Sequence, residues 1–166
     1  MQRSTLLGCP LMISLLGLAF SSYSETEGAV GVGQDTLTLT ATGIANISIS
    51  ARSDILEGEY RGGFVLANWQ AEVTEGTLAF RLNPSIVEQY STPTYLDGVI
   101  WNLGRTQFIE IQMTHNCSST TLSGMWQVCP TGIAQASGSL VTQLGKLQTL
   151  RSGTYPVAVD AVVWTF

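Results

Sequence analysis

The sequence predicts an all-β sandwich, and three observations carry that prediction. Apolar and polar residues alternate with a period of two along most of the chain after residue 35, which puts one side of an extended segment in a core and the other in water. Turn signals built from Gly, Pro, Asn and Asp interrupt the alternation at short intervals. Charge is scarce, at 11% of residues against 45% hydrophobic, so the polar surface has to come from Ser, Thr, Asn, Gln and Gly, as it tends to in secreted β proteins. The 166 residues fit one domain.

The same composition excludes several classes. Seven Lys and Arg against twelve Asp and Glu give no basic face for nucleic acid, and the apolar content is too high for a disordered acidic tail. Charge this sparse also excludes a coiled coil. A single histidine, His115, limits general-base chemistry and metal ligation.

The N-terminus reads as a signal peptide over residues 1–24: Arg3 precedes an apolar stretch from Leu6 to Phe20, and small polar residues follow. Pro10 interrupts that stretch, which is shorter than the roughly twenty residues of a membrane-spanning helix. Cleavage is expected after Ser24, with Ser21 as the alternative site. A lipoprotein reading of Leu6-Leu7-Gly8-Cys9 places the cysteine at the start of the apolar region, where a lipobox cysteine should follow it. Losing Arg3 makes the net charge −6 rather than the −5 of the whole chain, so the exported chain is acidic. Its two remaining cysteines, Cys117 and Cys129, are expected to form a disulfide in an oxidising compartment.

Four alternating runs define the clearest strands. They are Val65, Ala67, Trp69, Ala71 and Val73; Leu78, Phe80 and Leu82; Ile109, Ile111 and Met113; and Tyr155, Val157, Val159, Ala161 and Val163. Between them stand Glu57-Gly58-Glu59, Gly62-Gly63, Glu75-Gly76, Asn83-Pro84, Asp97-Gly98, Gly104, Pro130-Thr131-Gly132 and Ser152-Gly153, a spacing that suggests two packed sheets. The stretch Leu140 to Leu150 is ambiguous, because Leu140, Leu144 and Leu147 also fit one helical face; a strand over Ser139–Leu144 is the favoured reading.

The start of the exported chain is unusual for a sandwich. A glycine-rich leader, residues 25–33, precedes a strongly alternating run from Asp35 to Thr42, and Gly43 separates it from a second alternating run, Ile44 to Arg52, in which Ile47, Ile49 and Ala51 share a face. No hairpin loop joins the two runs, so residues 36–42 need not pair with residues 44–52. The sequence stops on Trp164-Thr165-Phe166, where a seven-stranded immunoglobulin-type sandwich calls for one further strand.

The closing run Gly153 to Trp164, together with the runs Thr36–Thr42 and Ile44–Arg52, resembles the Saf and Sef pilins, the fimbrial subunits assembled by the chaperone-usher pathway with long-loop chaperones. The resemblance implies an incomplete immunoglobulin-like β-sandwich completed by donor-strand complementation: residues 25–43 as the donor extension and 44–166 as the pilin domain. It implies Leu37, Leu39 and Ala41 as inserted donor residues, neighbouring pilin subunits in a homopolymer, a periplasmic chaperone, an outer-membrane usher and a host-cell receptor as partners, and export through the periplasm to a surface fimbrium. The physics agrees, since strand addition covers an apolar groove and its unpaired backbone together. Thr36, Thr38, Thr40 and Thr42 suit the outer side of such a strand.

Other chemistry is poorly supported. His115 and Cys117 lack the further ligands of a tetrahedral metal site, and neighbouring residues on a strand point to opposite faces, which argues against a cysteine nucleophile with its base. Glu72 with Glu75, or Glu57 with Glu59, sit beside glycine turns as solvated carboxylates rather than as a glycosidase pair. Asn46-Ile47-Ser48 and Asn116-Cys117-Ser118 match the glycosylation sequon, which an exported bacterial protein normally leaves unmodified. Parity assigns Trp69 and Tyr155 to the core. Phe108, Trp164, Trp101, Trp126, Tyr90 and Tyr95 remain open to a receptor patch or to neighbouring loops, so no receptor residues are named. The expectation is a non-enzymatic fimbrial structural subunit, also adhesive, without cofactor. The competing class is a self-contained secreted β-sandwich binding module, for instance for carbohydrate, whose first strand closes its own fold.

Overall fold

The computed structural model describes residues 43–90 and 94–166. The expected signal peptide, the leader and the donor residues Leu37, Leu39 and Ala41 lie outside the described residues. Twelve strands and no helix occur among those described: β1 (Ala45–Ala51), β2 (Gly58–Arg61), β3 (Val65–Val73), β4 (Thr77–Leu82), β5 (Val87–Gln89), β6 (Asp97–Trp101), β7 (Phe108–Met113), β8 (Thr121–Ser123), β9 (Trp126–Val128), β10 (Gln135–Thr142), β11 (Leu147–Leu150) and β12 (Val159–Trp164). They form a six-stranded sheet in the order β1-β3-β10-β7-β6-β5, a four-stranded sheet β12-β4-β9-β8, and a ribbon of β11 with β2. Every ladder is antiparallel.

Period-two patterning decides which side chains meet between the sheets. Ala67, Trp69, Ala71 and Val73 of β3, Leu78, Phe80 and Leu82 of β4, and Ile109, Ile111 and Met113 of β7 are all buried in one core. The Trp69 and Phe80 rings lie 4.8 Å apart across the two sheets. Burying the indole requires a partner for its N–H, and Nε1 donates to the Thr114 carbonyl at 3.1 Å. The same carbonyl explains Gly138: a Cβ there would overlap the Thr114 backbone.

The stretch from Leu140 to Leu150 resolves into two strands, not a helix. Leu140 is fully buried, but Leu144 and Leu147 are exposed, so the helical spacing of the three leucines does not describe one face. β10 begins at Gln135 and ends at Thr142, earlier at both ends than the favoured Ser139–Leu144. It pairs with β3 on one side, with a register shift between Leu140 and Val141, and with β7 on the other over Leu140–Thr142. Gly145, at φ +75°, turns the chain into β11.

The closing strand differs in length from its pattern. Alternation holds from Tyr155 to Val163, all of whose odd positions pack against the core, yet the ladder to β4 starts at Val159. β4 ends at Leu82, Ala158 takes the last bond from the Asn83 amide, and Pro156 has no N–H to carry the ladder further.

Cys117 and Cys129 are bonded as expected. Cys117 follows β7 of the six-stranded sheet and Cys129 follows β9 of the four-stranded one, so the bond ties the two layers together. With a sequence separation of 12, the bond contributes on the order of 3 kcal/mol by chain entropy. Cys117→Ser should therefore lower the melting temperature by several degrees, read by calorimetry, while the far-ultraviolet β signal persists.

Beside this bond, the His115 ring packs against Phe80 at 5.3 Å, and burial holds the imidazole below its usual range. Its contribution to stability is present above the unfolded pKa of about 6.5 and is lost as the pH falls below it, because the unfolded chain then takes up the proton first. Melting temperatures measured from pH 7.5 down to 5.5 should fall, and the fall should flatten in His115→Gln.

Candidate functional site

The two large sheets leave a gap between their ends. β1 is the edge of one sheet and β12 the edge of the other, and the two strands lie side by side. No strand stands between them among the described residues. Ala158 accepts a hydrogen bond from the Asn83 amide at 3.1 Å, which sets the phase of the β12–β4 ladder. In an antiparallel ladder this phase alternates. Val159, Ala161 and Val163 therefore aim their backbone N–H and C=O away from β4, toward the gap.

Apolar side chains line the gap at alternate positions. Ala45 and Ile49 of β1 are half-buried and Ile47 is 39% exposed, while Tyr155, Val157, Ala161 and Val163 form the opposite wall, also half-buried. β1 takes this face from its partner: Ala45, Ile47, Ile49 and Ala51 stand opposite Val73, Ala71, Trp69 and Ala67 of β3. These side chains belong to the core by register, and among the described residues no strand covers them on one side.

The groove narrows toward one end. There Gly43, at φ +105°, and Gly76 close around Val163: a Cβ on Gly43 would stand 3.1 Å from Cγ2, and one on Gly76 would stand 3.0 Å from Cγ1. At the other end the groove opens into a cavity of about 720 Å³ lined by Ile55, Leu66, Ile100, Leu150, Tyr155 and Val157. Leu56, 75% exposed, stands at its mouth. The rim is held by polar contacts. Arg151 pairs with Glu57 at 3.0 Å and keeps that carboxyl below its usual range, the Tyr60 hydroxyl donates to the Leu56 carbonyl at 2.8 Å, and the Tyr155 hydroxyl donates to the Arg151 carbonyl at 3.0 Å.

An edge strand with an unpaired side needs another anchor, and β12 has one on its outer face. Asp160 accepts from Arg81 Nε at 3.0 Å and from Asn83 Nδ2 at 2.6 Å, and the Arg81 guanidinium lies 4.2 Å from the centre of the Trp126 ring. Trp126 is thus committed to packing across β9, β4 and β12. Trp101 and Phe108 form a cross-strand pair 5.1 Å apart, with the indole N–H donating to Glu88 and the Phe108 ring half in water. The Tyr90 hydroxyl donates to Glu110, and burial raises its pKa to about 12.

The carboxylates considered as a glycosidase pair have other engagements, Glu57 with Arg151 and Glu72 with Asn46. Among the described residues no group of three His, Cys, Asp or Glu side chains is placed to hold a metal. What the groove offers is two backbone edges, unpaired among the described residues, beside apolar side chains at alternate positions. Sequence reasoning found the Tyr155–Val163 wall by parity but missed the cavity residues Ile55 and Leu56, which lie in a segment without alternation. It also missed Asp160, whose partners are distant in the chain.

No protein-family profile matches the chain, and no curated protein matches it in sequence. The fold is shared with solved structures. The Salmonella SafD adhesin superposes with a TM-score of 0.59 and 15% identity, covering 73% of this chain and 88% of that one. The Escherichia coli Hda pilus minor tip subunit HdaB gives 0.57 and 11%, covering 70% and 80%. AggB, the minor subunit of the aggregative adherence fimbriae type I of Escherichia coli, gives 0.52 and 16%, covering 70% and 82%. The chain therefore has the immunoglobulin-like all-β fold of these fimbrial subunits.

The Asp160 anchor generates a prediction. Asp160→Ala leaves Arg81 and Asn83 without their shared acceptor and should cost about 1–3 kcal/mol in chemical denaturation. Hydrogen exchange should accelerate most at residues 160, 162 and 164, whose amides bond to β4.

Proposed function

We infer that the chain is a structural subunit of a surface fimbrium, also adhesive, and that its groove is filled by the N-terminal extension of a neighbouring copy. One observation carries this reading: two edge strands face each other across an apolar gap with no strand between them among the described residues. In this reading residues 1–24 are removed on export, residues 25–43 form the extension, and residues 44–166 form the body. Leu37, Leu39 and Ala41 are the inserted side chains, and Thr36, Thr38, Thr40 and Thr42 face outward. The partners are further copies of the chain, a periplasmic chaperone that covers the groove before assembly, an outer-membrane usher and a host-cell receptor. The chain needs no cofactor and catalyses no reaction.

The match of patterns supports this. The extension offers apolar residues at every second position, and the groove presents its own at every second position of β1 and β12. An exposed edge over an open core is a liability that proteins cover. Adhesion is supported by the fold shared with a protein described as an adhesin, SafD.

The experiment is refolding of the chain from residue 25 at high concentration. Strand exchange should give a ladder of oligomers, and Leu39→Arg should remove it, because an unpaired buried guanidinium costs several kcal/mol where leucine contributed roughly 2. Appending a copy of residues 35–43 after Phe166 through a flexible linker, in a chain lacking residues 25–42, should give a monomer melting far above the same chain without the appended strand. A product that stays monomeric at every concentration and ignores Leu39→Arg would reject this function in favour of a self-contained binding module.

A further inference from the structure

We propose that the outer face of β1, β3 and β10 holds a site for a neutral oligosaccharide, on the side of the sheet turned away from the core. This deepens the adhesive part of the reading above by naming a class of ligand, and it uses no part of the strand–groove reading.

Register builds the site. The pairing of β1 with β3 and of β3 with β10 sets Asn46, Glu72 and Gln135 in one row across the three strands, and Ser48, Gln70 and Ser137 in the next. These positions alternate with Ile47, Ala71 and Ala136, which have core parity, so the polar side chains emerge on the outer face, where all of them are exposed. Among them lies a recess of about 470 Å³, within the range of small-ligand sites. Asn116, from the segment after β7, also lines it. The Asn116 amide donates to the Ser137 carbonyl at 2.9 Å and its Oδ1 accepts from the Ser137 amide at 2.8 Å, which fixes the side chain and leaves Nδ2 to donate.

The chemistry of the recess selects the occupant. Glu72 is its one charged group and faces Asn46 Nδ2 at 3.5 Å. The other polar side chains are amides and hydroxyls, which both donate and accept. Among the described residues, those of Ser48, Gln70, Gln135 and Ser137 have no hydrogen-bond partner, so their capacity is open to a ligand. With no cation and one carboxylate, the recess disfavours phosphate, sulfate or an acidic sugar. It presents none of the aromatic or Arg side chains that centre protein–protein interfaces, and Ile47 is its one large apolar side chain, too little for a lipid chain. A neutral sugar, with hydroxyls that donate and accept in turn, matches a lattice of amides and hydroxyls. The other half of the same sheet face is built differently, with the Trp101–Phe108 pair, Glu88 bound to the Trp101 indole, and Glu110 bound to Lys146.

The test is saturation-transfer NMR on the chain from residue 25, which reads ligand signals and so works on monomer and fibre alike. Lactose, N-acetyllactosamine and chitobiose are titrated to about 20 mM, above the millimolar affinity that a few neutral hydrogen bonds support. At least one should give a saturable signal, and a sulfated heparin disaccharide should give none. Gln70→Ala and Gln135→Ala should each weaken that binding about fivefold, whereas Gln107→Ala, on the exposed turn between β6 and β7, should leave it unchanged. Should the variants fold poorly, hydroxyl-radical footprinting of the unsubstituted chain gives a second reading: the bound disaccharide should protect residues 46–48, 70–72 and 135–137. No saturable signal from any of the three, a preference for the heparin disaccharide, or binding that ignores both glutamines and footprints elsewhere overturns the site. Each of these outcomes leaves the groove reading to be decided by oligomer formation and Leu39→Arg. A chain that binds the sugar at these residues yet stays monomeric keeps the site and loses the fimbrial reading.

Discussion

The structure depends on a constraint of backbone chemistry: two strand edges, β1 and β12, border a core that, among the described residues, has no strand between them to satisfy either. A buried N–H or C=O without a partner costs about as much as a lost hydrogen bond, and an apolar wall left in water forfeits its transfer energy. The rest of the molecule accommodates this gap. Asp160 holds β12 to β4 from the outer face, so that the strand keeps its shape with one side unpaired. β1 is carried entirely by its seven-residue register on β3. The rim of the cavity is fixed by hydroxyl-to-carbonyl bonds from Tyr60 and Tyr155, which act on the backbone and do not fill the groove.

Much of this was legible in the sequence, because parity is a local property. The inward faces of β3, β4 and β7 and of residues 155–163 follow from counting by twos, and the structure places those residues against the core except Val65, where the register shift opposite Leu140 and Val141 buries Leu66 instead. The disulfide followed from compartment and cysteine number. What stayed hidden depends on partners remote in the chain. Nothing near Leu140 signals that β10 is sandwiched between β3 and β7, or that its register on β3 shifts there. Nothing near Asp160 points to Arg81 and Trp126, which come from two other strands. Ile55 and Leu56 sit in a segment without periodicity, and their place at the cavity mouth is set by where β1 ends and β2 begins.

At the closing strand the sequence misled by giving a strand the length of its pattern. The run from Tyr155 alternates for nine residues, but its ladder covers only Val159–Trp164, because β4 ends at Leu82 and turns at Asn83, whose amide gives the last bond to Ala158. Residues 155–157 lie beyond that turn, where the groove widens and Tyr155 and Val157 serve as walls. Pro156 adds no donor there.

Position within the core separates the centre of the sandwich from its β1–β12 margin. The centre of the core, where Trp69 meets Phe80 and where Leu78, Leu82, Ile111, Met113 and Leu140 are all but fully buried, is built from β3, β4, β7 and β10, none of which borders the gap. The disulfide reinforces the same two sheets. Burial weakens only toward β1 and β12, where the same parity continues but accessibility rises. The β1–β12 groove therefore lies at the margin of the core rather than at its centre. In the proposed reading, a strand entering there would add burial to side chains already held in position, and completion of the fold and recognition of the strand would be one physical event, driven by apolar area at alternate positions and by the edge of β12.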